Sequence, residues 1–171
     1  MKNKRVLIGV TAVEVLILGI VAFGPVSEPT ADTTASAIDV AFRYVDGTGA
    51  NLSDFAGTPV VVNFWASWCP ACVAEMPDFE QVHVALGDEV VFLGLNMQET
   101  DPAAAASLVA ATGVTYQLGL DPDGSIFNRF GGIAMPTTVF ISADGEVIST
   151  HAGAIFADDL EGLIRTELLT S

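Results

Sequence analysis

The only two cysteines of the chain stand three residues apart, in Cys69-Pro70-Ala71-Cys72. Two thiols at that spacing can make and break a disulfide if the backbone carries both on one face. The flanking residues supply that backbone. Pro59–Ala66 reads Pro-Val-Val-Val-Asn-Phe-Trp-Ala, a β-branched and aromatic run as expected of a strand buried on both faces. Pro70 suits the first residue of a helix, which puts Cys69 at the N-cap and Cys72 one turn in. Positions i and i+3 lie about 5–6 Å apart on one helix face, within disulfide reach. Unpartnered backbone N–H groups and the helix dipole favour negative charge at the N-cap. Cys69 is therefore the expected nucleophilic thiolate. Cys72, further into the helix, is the expected shielded thiol that resolves a mixed disulfide.

Other uses of two thiols fit less well. A zinc site needs four ligands, and His83 and His151 lack the paired spacing that would complete one. A purely structural disulfide across three residues closes too short a loop to add much stability. Two thiolates holding Cu(I), as in a metallochaperone module, stay open as a non-enzymatic alternative.

The elements around the pair follow from local pattern. Asp39–Val45 alternates and ends in a turn at Asp46-Gly47. The strand at 59–66 leads into a helix from Pro70 to about Leu86, then a second buried strand at Val90–Asn96. That order implies a parallel strand-helix-strand unit with a right-handed crossover. Thr100-Asp101-Pro102 marks a helix start that runs to about Thr112. A short strand at Thr115–Leu120 and a short helix at Gly124–Phe130 follow. Thr137–Ser142 and Glu146–Thr150 flank the turn Ala143-Asp144-Gly145 and read as a hairpin. An amphipathic helix from about Phe156 to Leu169 closes the chain. The class is α/β with a central mixed sheet. Trp65, Phe64, Phe92 and Phe140 are expected in the core. Trp68, beside Cys69, is expected on an apolar rim that receives a partner. His83 is expected on a wet helix face and His151 near the end of an edge strand.

Composition bounds the rest. A chain of 171 residues, 51% apolar, suits one domain plus a short extra segment. The net charge is −15, and beyond residue 24 three arginines face twenty acids. Such a surface repels nucleic acid and anionic lipid. The scattered acids read as a solvated surface, since they form no block. Residues 1–24 differ: Lys2, Lys4 and Arg5 precede an apolar stretch from Val6 to Phe23, interrupted by Glu14. As a helix this stretch reaches about 27 Å, close to one bilayer core. Ala35-Ser36-Ala37 has the small-x-small form of a cleavage site but lies well past Phe23. An uncleaved, single-pass signal anchor over 1–24 is therefore expected over a cleaved peptide, with a linker over 25–37 and the domain over 38–171 outside the cytoplasm.

The stretch Val61–Pro77, Val-Val-Asn-Phe-Trp-Ala-Ser-Trp-Cys-Pro-Ala-Cys-Val-Ala-Glu-Met-Pro, resembles the thioredoxin superfamily, and within it the membrane-anchored TlpA/ResA-like (DsbE/CcmG-like) branch. Met135-Pro136-Thr137-Thr138 is a second match. The resemblance implies a three-layer thioredoxin-like fold and a cis peptide at Pro136, in a loop facing the cysteines. It further implies that the backbone of Met135 pairs with an extended substrate segment, so Trp68, Pro70, Met135 and Pro136 become candidate substrate-binding residues. Residues 97–135 are long for a minimal thioredoxin, and the helix and strand at 102–120 look like the insertion of this branch. Asn63 stands where ordinary thioredoxin has a buried aspartate. The branch instead places a glutamate three residues after the second cysteine, here Glu75, as a proton shuttle for Cys72.

What the resemblance implies for function is an extracytoplasmic, membrane-anchored thiol-disulfide oxidoreductase with a redox-active Cys69–Cys72 disulfide. Its implied partners are thiols or disulfides of exported proteins, apocytochrome c among them, and a membrane thiol-redox donor or acceptor. It requires no cofactor or metal. The Pro-Ala dipeptide leaves the direction of electron flow open between a reductase and a DsbA-like oxidase. A peroxidase on a related fold is the weakest rival, because no lone cysteine follows a Thr/Pro-rich loop.

Overall fold

The computed structural model describes residues 38–170. The signal anchor expected over 1–24 and the linker over 25–37 lie outside those residues. Among the described residues, no helix is long and apolar enough to cross a membrane.

The described chain opens with a small hairpin. β1 (Ala41–Tyr44) pairs antiparallel with β2 (Gly49–Asn51). Gly47 takes φ 88° in the turn, and the Asp46 carboxylate accepts the Thr48 N–H at 2.8 Å. β2 runs straight into a 3₁₀ turn, Leu52–Phe55, whose first N–H groups are closed reciprocally by Asn51 and Asp54. Neither β2 nor this turn was expected from the sequence, since three residues are too few to show an alternation.

The centre of the domain is the unit β3 (Val60–Trp65), α1 (Pro70–Leu86) and β4 (Val91–Met97). β3 and β4 pair in parallel, and all six residues of β3 are buried, the polar Asn63 among five apolar ones, as expected of a strand covered on both faces. α2 (Pro102–Thr112) and β5 (Gln117–Asp121) follow, with β5 parallel to β4. α3 (Ser125–Arg129) leads to the hairpin β6 (Thr137–Ile141) and β7 (Val147–Ala152). α4 (Ala157–Leu163) continues as a wider, π-type turn over Ile164–Leu168. The seven strands form one mixed sheet in the order β2-β1-β5-β4-β3-β6-β7. The extra helix and strand expected at 102–120 are present as α2 and β5, and β5 lies between β4 and β1.

Both faces of the sheet are covered. On one, Val62, Phe64, Leu93 and Leu95 pack with Phe42, Ile126 and Phe127. On the other, Val61, Phe92 and Phe140 meet Phe79, Val82 and Leu86 of α1 and Leu160 of α4. A third cluster joins Trp65, Ala66, Cys69, Cys72, Met76 and Ala105. His83 departs from the expectation of a wet face. Its ring lies edge-on against Phe92 and Tyr116, with centroids 5.4 and 5.9 Å away. An imidazole has enough apolar ring surface to finish this packing. His151 sits on the edge strand β7 opposite Thr138, as expected.

Gly94 shows how closely the layer beneath the site is packed. It pairs with Asn63 of β3 and Leu118 of β5. A Cβ there would lie 2.9 Å from Leu118 Cδ2, 3.0 Å from Tyr116 Cε2 and 3.1 Å from Trp65 Nε1. The glycine lets an indole and a phenol ring close over the strand. Gly94→Ala should therefore lower stability by about 1–3 kcal/mol, the usual cost of overpacking. Urea denaturation should show the midpoint falling with the slope unchanged.

Candidate active site

β3 ends at Trp65, and the chain turns through Ala66–Trp68 into α1. Cys69 is the N-cap of α1 with extended backbone, φ −100° and ψ 103°, and Pro70 opens the first turn. Cys69 and Cys72 are joined by a disulfide, with their Cα atoms 5.3 Å apart. The Cys72 N–H donates to Cys69 Sγ at 3.2 Å. The first sulfur thus occupies the place of a capping oxygen, with an N–H aimed at it. On reduction that donor and the helix dipole favour a thiolate at Cys69. Cys72 has no exposed surface, and Cys69 retains a little.

Glu75 lies on the same buried face of α1 as Cys72. It has no exposed surface at all. Its carboxylate accepts the Asn63 Nδ2 amide at 2.8 Å and the Ile155 N–H at 3.0 Å. Asn63 also donates to Thr138 Oγ1 at 3.2 Å, which ties the acid to β6. Burial dominates the titration of Glu75. The two hydrogen bonds favour the anion and the nearby Asp78 disfavours it, leaving the carboxyl raised from 4.5 to about 7. Glu75 is thus not an exposed acid that merely complements the helix dipole.

The remaining candidate residues differ in exposure and anchoring. The Met135–Pro136 peptide is cis. Met135 is partly buried against the cluster that contains both cysteines. The Pro136 carbonyl accepts the Gly153 N–H at 2.8 Å, which pins this loop to the segment after β7. Pro70 is exposed. Trp68 is half exposed, and its indole N–H donates to the Gln98 carbonyl at 3.2 Å. Trp65 is buried in the core, as are Phe64, Phe92 and Phe140. Among the described residues, no group of three or more His, Cys, Asp and Glu is placed to hold a metal.

Two contributors were not foreseen from the sequence. The Ile155 N–H is a main-chain group, and no side-chain pattern announces it. Glu99 accepts the N–H and hydroxyl of Ser67, two residues before Cys69. Only its place at the end of a buried strand, facing the cysteine loop, hints at such a role.

The Redoxin family model matches residues 31–163. The chain belongs to the Redoxin family. The ResA thiol-disulfide oxidoreductase of Bacillus thuringiensis is 30% identical over 122 residues, covering 71% of this chain and 70% of that one. A soluble secreted antigen of Mycobacterium bovis is 30% identical over 165 residues, covering 95% and 92%. A secreted Mycobacterium tuberculosis disulfide oxidoreductase homologous to E. coli DsbE has a similar structure. It matches with a TM-score of 0.69 and 28% identity over 76% of this chain and 97% of that one. This redoxin is accordingly a thioredoxin-like thiol-disulfide oxidoreductase of the ResA and DsbE kind.

The buried acid of this redoxin makes its stability depend on pH. Folding raises the Glu75 carboxyl from 4.5 to about 7. Between those values the folded protein keeps a proton that the unfolded chain has released. Stability is therefore unaffected below pH 4.5 and falls as the pH rises through 7, by about 3 kcal/mol from this group. Glu75→Gln lacks the ionisation. In oxidised protein its stability relative to wild type should improve by about that amount between pH 4.5 and 8, read by urea denaturation. A difference that does not move with pH would contradict the assignment.

Proposed function

We propose that this protein is an extracytoplasmic disulfide reductase for exported proteins, with Cys69 as nucleophile, Cys72 as resolving thiol and Glu75 as the proton acceptor of Cys72. The observation that carries this reading is Glu75 itself: a carboxyl of pKa about 7, wholly buried on the helix face of the resolving cysteine. A group matched to the working pH serves proton transfer best.

In the proposed cycle, the Cys69 thiolate attacks a substrate disulfide and expels one substrate thiolate, leaving a mixed disulfide. Glu75 takes the proton of Cys72. The Cys72 thiolate then attacks Cys69 Sγ and releases the second substrate thiolate. Two electrons pass to the substrate, and the Cys69–Cys72 disulfide is left to be reduced by a membrane thiol-redox donor. Asn63 suits both states of the acid. Its amide N–H donates to the carboxylate, while its Oδ1 has no hydrogen-bond partner within the protein. Turned over, that oxygen would accept the proton of a neutral Glu75.

Trp68, Pro70, Met135 and Pro136 form the substrate-binding rim in this reading. The backbone of Met135 pairs with an extended segment of the partner. Apocytochrome c, whose cysteines must be reduced before haem attachment, is one substrate the family resemblance points to. The apolar stretch Val6–Phe23 would hold the domain at the outer face of the membrane.

The reduction potential tests the direction. Equilibration with a defined dithiol buffer should give a value near the thioredoxin value of about −270 mV. A value near about −120 mV would make the protein an oxidase. Glu75→Gln should slow resolution of the mixed disulfide about a hundredfold at pH 7, read by stopped-flow decay of a Cys69-linked model disulfide. Decay at the wild-type rate would remove Glu75 from the mechanism.

A further inference from the structure

The loop that delivers Cys69 is gripped from outside by two consecutive residues. Glu99 follows β4, and its carboxylate collects five donors. From the cysteine loop come the Ser67 N–H at 2.9 Å and the Ser67 hydroxyl at 3.0 Å. From its own segment come the Asn96 amide at 3.2 Å and the Thr100 and Asp101 N–H groups, both at 3.0 Å. Burial works against the charge here. The N–H groups of Asp101 and Ser67, with the Asn96 amide and the Ser67 hydroxyl, outweigh it and hold the carboxyl at about 2. The group stays anionic throughout the neutral range, and hydrogen bonds to an anion are about twice as strong as those between neutral partners.

Gln98, directly before it, adopts φ 47°, the one residue other than glycine with positive φ among the described residues. Such backbone is disfavoured for a residue with a side chain and persists only where the surroundings enforce it. Here the Gln98 N–H donates to the Asp121 carbonyl at 3.1 Å, and its side-chain amide donates to the Asp123 carbonyl at 3.3 Å. The same residue turns its carbonyl to the Trp68 indole. The strained residue is anchored to the loop after β5 on one side and holds the half-exposed Trp68 on the other.

We propose that Gln98 and Glu99 are positioning residues: they clamp Ser67 and Trp68 so that the indole stands as a preformed surface against which a protein partner lies when its disulfide meets Cys69. Neither residue touches the reacting sulfurs. Their effect falls on how well a partner is received, because a surface already ordered need not lose that freedom on binding. The inference rests on the reading of Trp68 as partner-facing.

The test combines insulin reduction, driven by dithiothreitol, with ¹⁹F NMR of oxidised protein labelled with 5-fluorotryptophan. Glu99→Gln sets an amide NH₂ among donors that need acceptors. It should raise KM for insulin about tenfold while kcat changes less than threefold. The Trp68 resonance should move toward the solvent-exposed position while that of Trp65 holds. Ser67→Ala removes one of the five donors and serves if the first variant does not fold; it should raise KM about threefold with the same change in Trp68. A merely structural clamp would lower the melting temperature without separating KM from kcat, and that result overturns the proposal. An unmoved Trp68 resonance overturns it as well. If wild-type protein reduces no insulin, the reductase reading fails, and the Trp68 resonance alone decides the clamp.

Discussion

A carboxyl group with no exposed surface, held behind a disulfide, is the constraint on which this site depends. An isolated buried carboxylate would cost several kcal/mol. Two donors lower that cost without abolishing it: the amide of Asn63 from the central strand and the N–H of Ile155 from the segment before α4. Both would be out of place if the sheet or the last helix shifted. The packing of α1 and α4 against Val61, Phe92 and Phe140 is therefore also what sets the proton affinity of Glu75. Full compensation would leave an ordinary, permanently charged glutamate. No compensation would keep the acid neutral far above neutrality. The intermediate result, about 7, is the one that lets a proton move in either direction.

The two sulfurs are differentiated by the same helix. At the N-cap, Cys69 receives an N–H and the positive end of the dipole. One turn in, Cys72 is sealed into the cluster with Trp65 and Met76. Position along a single turn thus gives the two sulfurs different surroundings, an N–H and the dipole for one and a closed apolar cluster for the other. The cis peptide at Pro136 and the Ser67–Trp68 loop are each fixed by partners from a distant segment: the Gly153 N–H for the first, the Glu99 carboxylate and the Gln98 carbonyl for the second.

Much of this was legible in the sequence. The strand at 60–65 and the helix at 70–86 follow from local apolar pattern and from proline at N1, both properties of a few neighbouring residues. The placement of Cys69 at the N-cap and of Cys72 one turn in follows from that same boundary. The cis bond came from resemblance alone, since X-Pro bonds are mostly trans and Met-Pro by itself would predict that isomer. The burial of Glu75 was not legible from its spacing. An acid in the second turn of a helix ordinarily faces water, and its partners here lie 12 and 80 residues away. His83 differs for the opposite reason: a polar residue near a helix end is expected to be wet, whereas Phe92 of β4 and Tyr116, just before β5, close on its ring. Glu99 was passed over because most of its donors are backbone N–H groups, which carry no residue signature.

The central claim is that Glu75 is a proton carrier poised at neutral pH. The most direct measurement is an NMR titration of its side-chain carboxyl carbon in ¹³C-glutamate-labelled oxidised protein, assigned with Glu75→Gln. A midpoint near 7 is the result this account predicts. A midpoint near the ordinary 4.5 would show that water or further donors reach the carboxylate, and the proton relay behind Cys72 would have to be abandoned.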